Sequence, residues 1–136
     1  MSELGELLEE FRRLREQAVP KSSRPVIFAS GGQIIALAAY TDLVQFLPAE
    51  PGGILKQIFL RSPVNSAGLY EILVNDEIVI SDLNFAGAGA EADLPLDFKR
   101  QKVNAQTKTG VTVRAKSKIG AITFSAIIHG EQVTHW

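Results

Sequence analysis

The chain has 136 residues, a length that predicts one domain. It contains no cysteine, which excludes disulfides, zinc-thiolate sites and thiol nucleophiles. Fourteen basic and fifteen acidic residues give a net charge of −1, so the broad basic field of a dedicated nucleic-acid binder is absent. Because no apolar run reaches about 18 residues and the first residues are not basic and then apolar, we expect neither a membrane span nor a signal peptide, and cytosolic synthesis.

The first eighteen residues have the pattern of an amphipathic helix. Its apolar positions are three and four residues apart: Leu4, Leu7, Phe11, Leu14 and Ala18. Four glutamates precede the arginines, as a helix dipole favours, and Pro20 would end the helix. Two heptads are too few for an independent coiled coil, so the helix either packs on its own domain or binds a partner. We predict a helix over residues 1–18 and leave these two alternatives open.

Residues 19–32 are predicted to be an extended connector, or arm. Several prolines, serines and glycines surround one short β-like stretch, Val26–Phe28. About a dozen extended residues can cross a small domain, so the helix could lie far from the point where the body begins.

Residues 33–136 are predicted to be a β-sandwich domain. Apolar residues recur with a period of two, and turn-forming residues interrupt the pattern every 8 to 12 residues. The expected eight strands are Gln33–Ala39, Asp42–Leu47, Ile54–Arg61, Leu69–Val74, Glu77–Leu83, Leu94–Lys99, Val111–Ile119 and Ala121–His129. Asn75 and Asp76 predict a two-residue hairpin turn, because both tolerate positive φ. The fold class is therefore all-β, with eight antiparallel strands in a sandwich or a barrel.

Two strands, Ile54–Arg61 and Leu69–Val74, are apolar on both faces. Such strands are either central in a sheet or covered on their second face by the helix or another subunit. We therefore expect a closed homo-oligomer, a trimer rather than a dimer, burying ~1,000 Å² or more at each contact.

Charge is segregated along the chain. Between Glu71 and Asp97 there are seven acids and no base, whereas between Lys99 and Lys118 there are seven bases and no acid. Neighbouring strands of opposite charge could pair within one subunit. Alternatively, a basic stripe of Arg114, Lys116 and Lys118 could contact an acidic surface of another molecule, or nucleic acid.

No catalytic, cofactor or metal motif is present. With only His129 and His135, a sandwich cannot assemble a multi-histidine metal site. The acids near Asp76 and Asp93 lack the ligand spacing of a calcium loop, and no nucleophile elbow or phosphate loop occurs. We predict no enzymatic activity and no cofactor.

Carbohydrate binding would require exposed flat aromatic rings. The chain offers Tyr40, Tyr70 and Trp136, a small supply for such a platform. A terminal tryptophan is either packed on its own domain or anchored in a neighbour. A small ligand- or carbohydrate-binding module is the alternative function.

Three segments, Gly52–Arg61, Leu69–Ile80 and Val111–Ser117, together with the N-terminal arm, resemble the small β-sandwich virion proteins of tailed bacteriophages. The resemblance implies a trimeric jelly-roll decoration or accessory protein that clamps a capsid surface. Its partners would be its own copies and a capsid or other virion protein, with no membrane and no specific nucleic acid. It would reside in the virion after synthesis in the host cytoplasm, or in the cytoplasm if the protein is not viral. The expected interface residues are Leu4, Leu7, Phe11, Leu14, Arg114, Lys116 and Lys118.

Overall fold

The computed structural model describes residues 19–30, 33–35, 39–61, 68–84, 93–117 and 122–136, and these residues form nine strands and no helix. The strands are β1 Ser22–Ala29, β2 Gln33–Ile35, β3 Thr41–Phe46, β4 Gly53–Arg61, β5 Gly68–Val74, β6 Glu77–Leu83, β7 Asp93–Val103, β8 Val111–Ser117 and β9 Ile122–His135. The all-β prediction is confirmed. The helix predicted over residues 1–18 lies outside the described residues.

The strands form two antiparallel sheets. The first sheet has the order β1-β9-β4-β7, and the short β2 pairs with β9 beside β1. The second sheet has the order β3-β8-β5-β6. From β2 onward, consecutive strands lie in different sheets, with β5 and β6 as the exception. Both strands that are apolar on two faces, β4 and β5, are central in their sheets.

The inward faces of the two sheets share one hydrophobic core, as in a sandwich. Tyr70 of the second sheet meets Phe124 of the first edge to face, with ring centroids 5.4 Å apart. At another point Phe28 stacks on Phe46 across the sheets at 5.2 Å. On β8, Val111, Val113 and Ala115 are fully buried in this core, but Thr112 on the opposite face of the strand, expected to be solvent-exposed, is fully buried as well.

The predicted hairpin turn between β5 and β6 is confirmed. Val74 pairs with Glu77, and the two residues between them, Asn75 and Asp76, have φ of 54° and 66°. The Asp76 carboxylate accepts hydrogen bonds from the backbone N–H and hydroxyl of Thr109. The turn is therefore attached to the β7–β8 loop.

β1 occupies most of the predicted connector. Its eight residues pair with β9, which itself continues to His135. Pro25 is compatible with this strand because β1 borders only one neighbour, so a missing N–H costs little. The strand predicted at Gln33–Ala39 is seen as β2 over Gln33–Ile35.

β7 extends past its predicted end at Lys99. Lys99 and Arg100 have left-handed φ of 52° and 59°, which interrupts the two-residue alternation. Pairing with β4 nevertheless resumes and continues to Val103. A local irregularity thus hid the second half of the strand from pattern analysis.

Candidate interaction surface

The first sheet presents an outward face on which apolar side chains are grouped. Residues that pair directly across antiparallel strands point to the same side of the sheet. One row across the sheet is Ala29, Ile127, Phe59 and Pro95, and the next is Ile27, His129, Gln57 and Asp97. We call Ile27, Ala29, Phe59, Pro95, Ile127 and His129 the outer patch.

The outer patch combines exposed and half-buried apolar groups. Ile27 is 63% exposed, and the Phe59 ring meets the His129 ring edge to face at 5.1 Å. A shallow depression of about 350 Å³ lies between Ala29, Phe59 and Ile127. Its far end is formed by an ion pair in which Arg61 Nε lies 3.0 Å from Asp93 Oδ1. An apolar surface with a charged border is typical of a protein contact.

Next to the outer patch is a basic cleft of about 490 Å³, lined by Lys56, Lys99 and Arg100 as well as by Ile27 and His129. A double irregularity brings these cations together. Between the pairs Leu55–Gln101 and Gln57–Asp97, β4 has one residue, Lys56, where β7 has three. The left-handed backbone at Lys99 and Arg100 accommodates the extra residues.

Local contacts fix the left-handed backbone of Lys99 and Arg100, two consecutive non-glycine residues. The backbone N–H of Lys99 donates to the Asp97 carboxylate at 2.8 Å. Arg100 Nη1 lies 2.6 Å from Glu131 Oε2. Non-glycine residues with left-handed backbone angles cluster at functional sites of proteins.

Glu131 stays ionised beside this cleft. Burial disfavours its charged form, but hydrogen bonds from Ser23 and Arg100, with the charges of Arg100 and Lys56, lower the pKa of Glu131 below its ordinary value. Glu131 therefore neutralises Arg100. Lys56 and Lys99 have no ion-pair partner among the described residues, but the Asp97 carboxylate also lines the cleft and offsets one of their charges. The cleft therefore keeps a surplus of one positive charge.

Two of the predicted interface residues, Arg114 and Lys116, lie on the outward face of the second sheet. Arg114 is 2.8 Å from Asp42 and 3.6 Å from Glu71, whereas Lys116 is 3.9 Å from Asp82. These contacts favour pairing within one subunit for both cations. Lys118 and the helix residues Leu4, Leu7, Phe11 and Leu14 lie outside the described residues.

Tyr40 is held by the same charged network. Its hydroxyl donates to Asp82 at 2.5 Å, and Lys116 Nζ lies 4.6 Å from the centroid of its ring. Burial, followed by the hydrogen bond to Asp82, raises the pKa of Tyr40 to about 12. One face of the Tyr40 ring is therefore covered by Lys116.

The other two candidate aromatics also have partners within the chain. Tyr70 is buried in the core. Trp136 Nε1 donates to the Pro51 carbonyl at 3.0 Å, and Lys102 Nζ lies 4.9 Å from the centroid of the indole. Because the indole also packs on Ile54 and Val133, the packed-terminus interpretation is confirmed. Among the described residues these three rings form no exposed platform.

Sequence reasoning did not identify the outer patch or the basic cleft. Their residues come from all four long strands of the first sheet, and only the register places them together. The sequence signal that could have indicated the outer patch is that both faces of Ile54–Arg61 are apolar. The described residues contain no cluster of three or more metal-binding side chains.

Comparison with known proteins supports the fold. No protein-family model matches the chain, and no curated protein matches its sequence. Among solved structures it is similar to PRD1 vertex protein P5, with a TM-score of 0.52 and 10% identity, over 81% of this chain and 96% of that one. At this identity the similarity concerns the fold alone. Within the part of the chain that the structure describes, no helix has the length and apolar character needed to cross a membrane.

Proposed function

We propose that this chain is a non-enzymatic structural protein of a symmetric assembly, most specifically a phage virion accessory protein that decorates or stabilises a capsid. Its homo-oligomer is a trimer, and its partners are copies of itself and another virion protein. It acts in the virion after synthesis in the host cytoplasm. The outer patch carries the assembly part of the proposal, because a grouped apolar surface on a small domain is typical of an interface.

The fold supports the virion part. With β2 set aside, the orders β1-β9-β4-β7 and β3-β8-β5-β6, with chain crossings between the sheets at nearly every step, support the proposal of an eight-stranded jelly roll. Capsid proteins are a large group of jelly rolls. The similar fold of a PRD1 vertex protein is consistent with this group. Because fold alone does not define function, the assembly itself must be tested.

The N-terminal segment provides the first test. We expect the double variant Leu7→Asp and Phe11→Asp to dissociate the oligomer, because it places two charges in the apolar stripe of an intersubunit contact. The β-sheet signal in circular dichroism should remain that of the original protein. A matched control, Glu6→Asp with Glu10→Asp, keeps the charge and the stripe and should assemble normally.

Two outcomes would contradict this role for the segment. Loss of the β-sheet signal in Leu7→Asp with Phe11→Asp would place the stripe in the core of its own domain. An oligomer of unchanged mass would show that the stripe has no part in assembly. Deletion of residues 1–18 gives the same discrimination with a larger change.

A further inference from the structure

The outer patch and the basic cleft together form one surface, in which the patch is apolar and the cleft is positively charged. The occupant of such a surface needs an apolar stripe bordered by acidic residues. Residues 1–11 have both: four glutamates, no lysine or arginine, and the apolar Leu4, Leu7 and Phe11. The arginines of the segment begin only at Arg12.

The dimensions also agree. From Leu4 to Leu14 a helix extends about 15 Å at ~1.5 Å per residue. Along β1, the surface from Pro25 to Ala29 measures about 13 Å, and four strands spaced ~4.8 Å apart give about 14 Å across. One helical stripe can therefore cover the patch and place its glutamates beside Lys56 and Lys99.

The described chain begins at Val19 and Pro20, next to the first residue of β1. The backbone N–H of Lys21 donates to the His135 carbonyl, and the chain bends at Lys21, so the Val19–Pro20 pair leaves the line of β1. Val19 is 70% exposed. The neighbouring copy is taken as the one covered because the proposed oligomer needs a contact between subunits.

On these grounds we propose that residues 1–18 of one subunit dock, as an amphipathic helix, on the outer patch and basic cleft of a neighbouring subunit. The proposal rests on the proposed oligomer and specifies how its subunits are joined. The apolar stripe covers Ile27, Phe59 and Ile127, and the glutamates face Lys56 and Lys99. Each subunit donates one segment and receives one, which closes a ring of identical contacts.

Engineered cysteines test this arrangement without interference, since the chain has none of its own. Leu7→Cys and Ile27→Cys are made in separate full-length chains that differ in tag length and are co-expressed. Mild oxidation should give a disulfide-linked species containing one chain of each kind. The matched control replaces Ile27→Cys with Ile78→Cys, which is 58% exposed on β6 of the second sheet and should give only background cross-linking.

The same chains separate the possible outcomes. If Leu7→Cys links to Ile27→Cys no more than to Ile78→Cys while light scattering still shows an oligomer, this docking is wrong but the proposed assembly stands. A disulfide confined within single chains of the double variant Leu7→Cys with Ile27→Cys would show that the segment covers its own subunit, which also overturns the proposal. A monomer in solution would contradict the proposed function itself.

Charge reversal provides an independent readout. Lys56→Glu with Lys99→Glu should weaken subunit association by roughly two- to fivefold per residue, since exposed ion pairs are worth up to ~1 kcal/mol. Adding Glu6→Lys and Glu10→Lys to the same chain should restore association. Lys108→Glu, on the β7–β8 loop, is the control that should leave association unchanged. Equal weakening by this control, or no restoration by the compensating pair, would contradict the predicted electrostatic contact.

Discussion

Replacing Tyr70 by phenylalanine tests how the two sheets are held together. Tyr70 is on β5 of the second sheet, 1% exposed, and its hydroxyl donates to the Arg61 carbonyl of β4 at 2.6 Å. The same oxygen lies 3.1 Å from the Ser125 carbonyl of β9. This hydroxyl therefore connects the second sheet to two adjacent strands of the first, whereas its ring packs on Phe124.

The loss of stability expected for Tyr70→Phe follows from these hydrogen bonds. Removing the hydroxyl deletes one net hydrogen bond, worth about 0.5–1.5 kcal/mol, and leaves a carbonyl of β4 less well satisfied. We expect the free energy of unfolding to fall by about 1–2 kcal/mol, which lowers the melting temperature by roughly 3–8 °C in a chain of this size. Tyr40→Phe, at a half-buried ring whose hydroxyl contacts Asp82, is the control with a smaller effect.

The pH dependence of the same variant has a defined sign. Burial raises the pKa of Tyr70 well above its ordinary value of 10. A group whose pKa is higher in the folded state than in the unfolded state contributes its full stabilisation of the fold at pH values below the unfolded-state pKa. This contribution is lost as the pH rises from the unfolded-state pKa through the folded-state pKa. Wild-type protein should therefore lose stability above about pH 10 more steeply than Tyr70→Phe. Equal alkaline slopes, with melting temperatures that agree near pH 7, would show that the Tyr70 hydroxyl does not help to hold the two sheets together.

The remaining predictions concern a turn, a glycine and an ion pair. Asp76→Asn should lower the melting temperature near pH 7, because backbone hydrogen bonding by Thr109 lowers the pKa of Asp76. The difference should shrink as the pH falls below the ordinary pKa of an aspartate, and a difference that stays constant with pH would contradict this. Gly110→Ala should cost at least about 2 kcal/mol in urea unfolding, since Gly110 has φ of 51° and a Cβ would collide with the Phe46 carbonyl; an unchanged midpoint would oppose this. Arg114→Gln should cost about 1–2 kcal/mol, because it leaves the buried Glu71 without its cation, and should leave the oligomer mass unchanged; dissociation of a stable fold would instead make the basic stripe an interface.

Much of the fold could be predicted because its strongest signals are local. Glu77–Leu83 was predicted with its observed bounds, and β5 with an error of one residue, because apolar β-branched stretches end at a turn whose residues accept positive φ. β1 was missed as a strand since Pro25 and two serines weaken its pattern. Its stability comes instead from pairing with β9 along eight residues, which no local signal reveals.

The candidate site was predictable only in part, because it depends on register. Pattern analysis showed that Ile54–Arg61 has two apolar faces, which includes Phe59, but it could not place Ile27 and Ile127 beside that ring. The bulge that groups Lys56 with Lys99 is a mismatch between two strands about forty residues apart, and neither strand encodes it alone. Charge counting likewise gave two blocks of opposite sign, whereas strand order decides that Arg114 faces Asp42 and Glu71.

The mass of the purified 136-residue protein in solution shows whether the chain forms an oligomer. Multi-angle light scattering at micromolar concentration should give a single species of three times the 14.8 kDa chain mass, since we propose a closed homo-oligomer in which a trimer is favoured. The same mass should persist when ionic strength is raised to ~0.15 M, because the apolar patch and not the exposed charges supplies most of the contact. A species of 14.8 kDa under these conditions would show that the protein is a monomer and would rule out the proposed assembly.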